Sequence, residues 1–379
     1  GAVFSDLDGD GDGDLVLACE WGPVRVVRND AGRLREATAE LNLAQYTGWW
    51  NGVATGDFDG DGRLDIIASN WGRNTKDQRY LPKPLRAYFG DFDGNGTEDF
   101  VEAFFDDDLD KWVPERDYDT MSKAIPFVRE RFSSFRAYGN AGVDDLLGDQ
   151  LSQAKILQAA TLDSMVFLNL GGRFEAQPLP VEAQFAPAFG VVVGDFDGDG
   201  NEDVFLAQNF FAVEVETSRY DGGRGLWLRG DGSGGFQAVP GQESGIKVYG
   251  EQRGCASSDY DGDGRVDLVI TQNGNETKLF KNRGAKPGLR VRLKGPPGNP
   301  AAVGATVRLK FGARFGPARE IHAGSGYWSQ ESAVQVMSGP EPPTQIWVRW
   351  PGGKVTTAEI TRMATEIALD QTGRLEFIR

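Results

Sequence analysis

Short apolar runs recur along the chain, and each follows directly on a compact acidic segment. They read LVLA from residue 15, IIAS from 66, FVEAFF from 100, VFLA from 204 and LVIT from 268. Runs of this length, rich in β-branched residues, are typical of buried strands rather than amphipathic helices. Further strand-like runs lie at 24–30, 165–174, 226–236 and 278–284. The pattern predicts an all-β fold made of repeated hairpins.

The acidic segments are five copies of one pattern, D-x-D-G-[DN]-G-x-x-D, which begin at residues 6, 57, 91, 195 and 259. Ca²⁺ prefers six to eight oxygen ligands at about 2.3–2.6 Å. Side chains at positions 1, 3, 5 and 9 of the pattern would supply oxygens, and position 7 a backbone carbonyl. The glycines at positions 4 and 6 permit the positive φ that such a tight loop needs. The spacing therefore predicts about five calcium sites.

An EF-hand is the main alternative, but it needs flanking helices and a glutamate at position 12 of its loop. Position 12 is acidic in one of the five copies here, and strands follow every loop. The twenty aspartates of the loops explain much of the net charge of −16, which five calcium ions would bring to about −6. The predicted ligands are Asp6, Asp8, Asp10, Asp12, Asp14, Asp57, Asp59, Asp61, Arg63, Asp65, Asp91, Asp93, Asn95, Thr97, Asp99, Asp195, Asp197, Asp199, Asn201, Asp203, Asp259, Asp261, Asp263, Arg265 and Asp267, with Arg63, Thr97, Asn201 and Arg265 acting through backbone oxygens.

Repeated inner and outer hairpins of this kind predict a β-propeller. The loop starts are 51, 34, 104 and 64 residues apart, so the longest gap is expected to hold a metal-free blade ending near Phe174 together with an insertion at about 107–163. Periodic apolar positions predict helices in that insertion, from Val143 to Gln158 and from Met121 to Phe132. We expect seven blades, with six as the alternative.

The loops resemble the FG-GAP/VCBS calcium repeats. The stretches GLRVRLKG, VGATVRL, REIHAGSGYWSQES and IWVRWPGG resemble the ASPIC/UnbV domain. This order of segments is similar to that of the cartilage acidic protein family, including its bacterial members. The resemblance implies a propeller over residues 1–286, a small β domain over 287–379 and a secreted, extracellular or periplasmic protein.

Antiparallel hairpins place the strand ends remote from the calcium loops on the opposite face of the propeller. Tryptophans, amides and charges gather at those ends, which suits a sugar ligand, although such groups also pack inter-blade loops. The predicted ligand-binding residues are Glu20, Trp21, Trp50, Asn51, Asn70, Trp71, Gln208, Asn209, Glu251, Arg253, Gln272 and Asn273.

Binding, adhesion or scaffolding, with a glycan or an extracellular protein as partner, is the favoured function. Nucleic acid is excluded as a partner by the acidic charge. His322 is the only histidine, which excludes a histidine-based triad, and no catalytic residue is assigned. A lyase or dehydratase acting on carbohydrate is the alternative, with Glu20, Glu102, Glu251 and Arg253 as its candidates. No apolar run is long enough to span a bilayer. Cys19 and Cys255 are expected to be buried free thiols, with a disulfide between them as the alternative.

Overall fold

A computed structural model describes residues 1–215, 217–325 and 327–379. Antiparallel sheets dominate it, and short helices gather in one insertion, which confirms the predicted fold class. No helix in the described ranges combines the length and the hydropathy needed to cross a membrane. Both cysteines are free thiols; Cys255 is buried, whereas Cys19 is only partly buried.

Four sheets, here called ring sheets 1 to 4, each begin with a hairpin whose turn is one of the acidic loops. In each sheet the strand before the loop lies at one edge, and the outer strands follow in chain order. Ring sheet 1 is Ala2–Ser5, Asp14–Leu17, Arg25–Asp30 and Arg33–Glu36; ring sheet 2 is Val53–Gly56, Asp65–Ala68, Met165–Asn169 and Phe174–Pro178; ring sheet 3 is Ala188–Gly194, Asp203–Gln208, Leu226–Gly230 and Phe236–Val239; ring sheet 4 is Glu251–Ser258, Asp267–Asn273 and Lys278–Phe280.

The edge strands of these sheets pack side by side around a common axis. The strand Ala2–Ser5 lies beside Val53–Gly56, which lies beside Ala188–Gly194, and that strand lies beside Glu251–Ser258. Small residues allow the close approach: a Cβ on Gly52 would lie 2.0 Å from the carbonyl oxygen of Phe189. Apolar clusters lie between successive sheets, from ring sheet 1 to ring sheet 4, so the four sheets are arranged like successive blades of a propeller.

The prediction of a separate metal-free blade is wrong. Residues 165–178 pair instead with the second acidic hairpin, with Met165 opposite Ala68, and complete ring sheet 2. The strand Met165–Asn169 is buried throughout, so it satisfies the open edge of Asp65–Ala68 despite the long separation in sequence. Residues 69–164 are therefore an insertion between the second and third strands of ring sheet 2. A count of seven or six blades is not confirmed, since four ring sheets are present in the described residues.

The third acidic loop belongs to this insertion and not to the ring. Its two strands form the middle of a separate sheet with the order Lys111–Pro114, Asp99–Asp106, Leu85–Gly90 and Lys155–Ala159. Helices Tyr118–Ala124, Phe127–Arg131, Phe135–Gly139 and Val143–Leu147 and the 3-10 helices Lys76–Tyr80 and Gly148–Gln153 complete the insertion. The predicted helix from Val143 to Gln158 is α-helical only to Leu147; Gly148 turns the chain at φ 54°, a 3-10 helix follows to Gln153, and the prediction is wrong at residues 155–158, which join the sheet.

The remaining short elements connect the sheets of the ring. The strands Glu20–Gly22 and Gly48–Trp49 pair with each other, and the turns Val181–Gln184 and Gly241–Ser244 are helical.

The C-terminal region, here called the tail, forms two sheets around a core of its own. One has the strand order Gln335–Met337, Leu289–Lys294, Glu366–Asp370 and Leu375–Phe377. The other has the order Arg314–Phe315, Thr306–Phe311, Gln345–Arg349 and Val355–Glu359, and Arg319–Glu320 also pairs with its second strand.

Candidate functional site

Each acidic loop brings three carboxylates together, with oxygens that lie within 4.8 Å of one another. In the four ring loops these are the aspartates at positions 1, 3 and 5, and in the third loop they are those at positions 1, 3 and 9. The groups are Asp6, Asp8 and Asp10; Asp57, Asp59 and Asp61; Asp91, Asp93 and Asp99; Asp195, Asp197 and Asp199; and Asp259, Asp261 and Asp263. Oxygen-only clusters of this density suit a hard divalent cation, so the residues present fit calcium.

Backbone groups hold the first carboxylate of each loop in place. Asp6 accepts hydrogen bonds from the N–H groups of Gly9 at 2.9 Å and Gly11 at 3.1 Å. These glycines have φ of 79° and 97°, a region that other residues rarely adopt. The position-5 side chains accept from the N–H at position 7, as Asp10 does from Asp12 at 2.8 Å. The same bond recurs at Arg63, Thr97, Asn201 and Arg265.

The aspartate at position 9 ties the ring loops to their sheets. Asp65 accepts the N–H of Phe58 at 2.8 Å and that of Asn169, on the third strand, at 2.7 Å. Asp14, Asp203 and Asp267 make the equivalent pair of bonds. Burial raises the pKa of Asp65 and of Asp203 to about 8. A calcium-ligating role for position 9 stays a prediction, beside this observed structural one.

The tail packs against the ring loops, a contact that the sequence did not indicate. Arg349 lies 2.9 Å from the Asp6 carboxylate, and Arg290 pairs with Asp259. The N–H of Ala318 donates to Asp57 at 2.7 Å. The position-1 carboxylates of three loops therefore face groups of the tail.

The tail also reaches the axis of the ring. Glu320 accepts the Ser5 hydroxyl at 2.7 Å, and Arg319 lies 2.5 Å from Glu202. His322 is largely but not fully buried, with its Nε2 3.3 Å from both Glu320 and the hydroxyl of Thr55. Burial lowers the pKa of His322, but the hydrogen bond and the negative charge of Glu320 raise it by more. The net shift of the pKa is therefore upward. These contacts give His322 a structural position.

Strand ends on the face opposite the ring loops form a cavity of about 290 Å³, here called the tryptophan cavity. Trp21, Trp49 and Trp71 stand edge to face along its wall. Their ring centroids are 5.1 Å apart between Trp21 and Trp49, and 5.7 Å apart between Trp49 and Trp71. Phe210 and Tyr220 extend the aromatic wall from Trp71.

Charged side chains of the insertion close the other side of the tryptophan cavity. Lys76 pairs with Glu115, and Arg116 lies 3.0 Å from Glu102. The N–H of Glu115 donates to the carbonyl oxygen of Glu102 at 2.8 Å, which fixes the two acids side by side. Burial raises the pKa of Glu115 even though Lys76 opposes the shift. The cavity can therefore offer both acidic and basic groups to a ligand.

Three of the predicted ligand-binding residues line this cavity, namely Glu20, Trp21 and Trp71. Trp50 does not, because its ring is buried against Phe167 and its Nε1 donates to the Tyr46 carbonyl at 2.9 Å.

The predicted amides mostly tie down loops. Asn70 accepts the N–H groups of Trp49 and Trp71, and Asn209 donates to the carbonyls of Gly223 and Gly250. Asn51 and Gln208 are buried, Gln272 donates to the Glu276 carbonyl, and Asn273, Glu251 and Arg253 bond among themselves. These residues support the face without lining the cavity.

Sequence reasoning missed Lys76, Asp77, Glu115 and Arg116, which the insertion carries to the cavity. It selected Trp50 as a ligand-binding residue and not its neighbour Trp49, which lines the cavity. Alternation of neighbouring side chains was the available signal, because Trp49 and Trp50 must point in opposite directions on an extended segment.

Comparison with known families identifies two segments. The FG-GAP-like repeat matches residues 6–68, and the ASPIC and UnbV domain matches residues 295–376. Both findings confirm the resemblance that the sequence motifs indicated. No curated protein matches the chain.

Two solved structures with low similarity are rhamnogalacturonan lyases. The chain is 14% identical to YesW, covering 78% of this chain and 59% of that one with a TM-score of 0.24. It is 13% identical to the exotype enzyme YesX, covering 95% of this chain and 66% of that one with a TM-score of 0.20. The chain thus spans less than two thirds of either lyase, and likenesses this distant carry no argument about function.

Proposed function

We propose that this protein, which carries an FG-GAP-like repeat and an ASPIC/UnbV domain, is an extracytoplasmic calcium-stabilised propeller that binds a carbohydrate in the tryptophan cavity. The observation that carries the proposal is the meeting of three indoles with charged side chains in one cavity of about 290 Å³. Binding of a glycan, free or attached to a protein, would make the chain an adhesion or scaffolding component.

Sugars need both kinds of surface that the cavity offers. The C–H face of a pyranose ring packs on an aromatic ring, while its hydroxyls require hydrogen-bonding groups at the rim. Trp21, Trp49 and Trp71 supply the aromatic side, and Glu20 and Glu102 lie at the polar side. The indole Nε1 atoms of Trp49 and Trp71 are buried and have no hydrogen-bond partner in the described residues. A buried donor without a partner calls for an explanation in a native structure, and a bound ligand is one.

Calcium has a structural role in this proposal. About five ions would neutralise carboxylates that otherwise repel one another, and four of the loops lie at the ends of the ring strands remote from the cavity. Clustered loops of modest affinity suit the calcium concentrations outside the cytoplasm, which supports a secreted or periplasmic location. The residue boundaries 1–286 and 287–379 are proposed for the propeller and the tail domain.

A second candidate function is acid–base chemistry on the bound sugar, of the lyase or dehydratase type. The specific observation in its favour is that the insertion walls the cavity with the Lys76–Glu115 pair, in which burial raises the pKa of the carboxyl group. A carboxylate poised in this way can exchange a proton with a ligand. Product analysis after incubation with bound glycans separates binding from turnover.

Glycan-array binding with calcium present tests the proposal. We expect Trp71→Ala to lose most of the retention shown by the unchanged chain, because it removes the indole at the centre of the aromatic wall. Trp328→Ala is the matched control, since Trp328 is exposed and lies outside the cavity. Equal retention by the folded Trp71 variant and the unchanged chain would refute the proposed site.

A further inference from the structure

We propose that the tryptophan cavity selects a sugar that carries an ammonium group, an inference that rests on the carbohydrate-binding function proposed above. The first observation is an excess of acid. Two basic side chains of the cavity lining face five acidic ones, which are Glu20, Asp77, Glu102, Glu115 and Glu214.

Both bases are already engaged by acids of the cavity. Lys76 pairs with Glu115, and Arg116 lies 3.0 Å from Glu102 and 3.3 Å from Glu214. Neither Glu20 nor Asp77 forms an ion pair within the described ranges of the chain, although Lys76 interacts electrostatically with Asp77 as well as with Glu115. The cavity therefore presents carboxylates that its own cations do not neutralise.

Asp77 is the most informative of these carboxylates because it is 6% exposed. Its Oδ2 accepts the Thr75 hydroxyl at 2.8 Å, while Oδ1 has no hydrogen-bond partner in the part of the chain that the structure describes. A buried carboxylate is costly unless a cation or several donors compensate it. A bound ammonium group would supply both the positive charge and three N–H donors.

The aromatic wall independently favours a cation. Rings such as tryptophan attract a positive charge placed over their faces, most strongly when water is excluded. Elsewhere the protein fills such positions with its own side chains, as with Arg86 3.9 Å from the ring centroid of Trp112. No lysine or arginine of the described residues lies over Trp21, Trp49 or Trp71, so no cation of the protein itself occupies these rings.

Together, the indoles without a cation partner and the excess of carboxylates suit a hexosamine with a free amine. An N-acetylated sugar would lose the charge, and a uronic acid or a sulfated sugar would be repelled by the same carboxylates. The site is thereby predicted to discriminate among sugars by charge as well as by shape.

Isothermal titration of the calcium-loaded chain with three size-matched oligosaccharides tests this inference. The probes are a glucosamine oligomer, its N-acetylated form and a galacturonate oligomer. We expect at least about tenfold tighter binding of the free amine than of the acetylated form, and no measurable binding of the uronate. A tenfold ratio corresponds to about 1.4 kcal/mol.

Two variants connect the preference to the named carboxylates. Asp77→Asn keeps an acceptor for Thr75 but removes the charge. Glu20→Gln removes a charge at an exposed position, where a substitution of this kind usually has little effect on folding. Each is expected to reduce the preference for the amine at least about threefold, whereas Glu175→Gln, an exposed change outside the cavity, leaves it unchanged.

The outcomes separate the two proposals. Equal affinity for the amine and its acetylated form, or a preference that survives in both carboxylate variants, overturns the charge selection and leaves carbohydrate binding standing. Failure of every sugar to bind, on the array and in titration, overturns carbohydrate binding and the present inference with it.

Discussion

The ion pair between Arg319 and Glu202 joins the tail to the ring, and losing one partner is expected to destabilise the chain. Arg319 Nε lies 2.5 Å from Glu202 Oε1, and the two side chains are 7% and 1% exposed. Removing one member of a buried pair typically costs about 3–5 kcal/mol, because the other charge is left uncompensated. We expect Arg319→Met to lower the free energy of unfolding by about this amount, since Glu202 would then lie unpaired near Asp195.

A double-mutant cycle isolates the interaction. Glu202→Met combined with Arg319→Met removes both charges, so the double variant should be more stable than the Arg319→Met variant alone. Urea titration followed by circular dichroism, at saturating calcium, measures each variant.

The matched control is Lys294→Met, which breaks an exposed ion pair of the tail with Glu376. Exposed pairs contribute about 0–1 kcal/mol, so this variant should unfold close to the unchanged chain. An Arg319→Met cost no larger than that of the control, or strictly additive costs in the cycle, would refute the view that this pair fastens the tail to the ring.

Three further predictions follow from the loops and the core. Without calcium, stability should fall as pH rises from about 4 to about 8, because burial raises the pKa of Asp65 and Asp203 from 3.8 to about 8 and the folded state then binds more protons than the unfolded state. The melting temperature in EDTA, measured across this pH range, tests the effect, and saturating calcium should reduce it. A melting temperature in EDTA that does not change with pH would contradict the prediction. Trp50→Ala should lower the free energy of unfolding by about 3–5 kcal/mol, measured by urea titration, since Trp50 is 1% exposed in the core. The folded variant should keep its glycan retention, and lost retention would place Trp50 in the site. Gly52→Ala should lower the melting temperature even with calcium, because the new Cβ would lie 2.0 Å from the Phe189 carbonyl oxygen, and an unchanged melting temperature would show that the neighbouring strands can shift.

The acidic loops could be predicted from the sequence because every determinant is local. Asp6, Gly9 and Gly11 lie within six residues of one another, and the positive φ values and N–H bonds of the loop follow from those residue types. The strands after each loop follow from equally short apolar runs. Local patterns of this kind need no knowledge of the rest of the fold.

The topology could not be predicted in the same way, because it depends on contacts between distant segments. The open edge of Asp65–Ala68 could pair with any later hairpin, and nothing near it indicates that residues 165–178 are the partner. Closing a longer loop adds little entropic cost, so the two strands that the insertion separates need no special sequence to tolerate it. For the same reason the sequence did not indicate Glu115 and Arg116 as cavity residues, because the fold of the insertion brings them there.

The predicted calcium ligands and the residues that dock the tail overlap. Asp6, Asp57 and Asp259 each belong to an acidic cluster and also bond to the tail, through Arg349, the Ala318 N–H and Arg290. An ion that fixes these carboxylates also fixes the acceptors on which the tail rests, and a docked tail holds the loops in a binding-competent shape. Since linked equilibria are reciprocal, any effect of bound calcium on tail docking must be matched by an equal effect of the docked tail on calcium affinity in the ring loops. The third loop, which lies in the insertion, is outside this linkage.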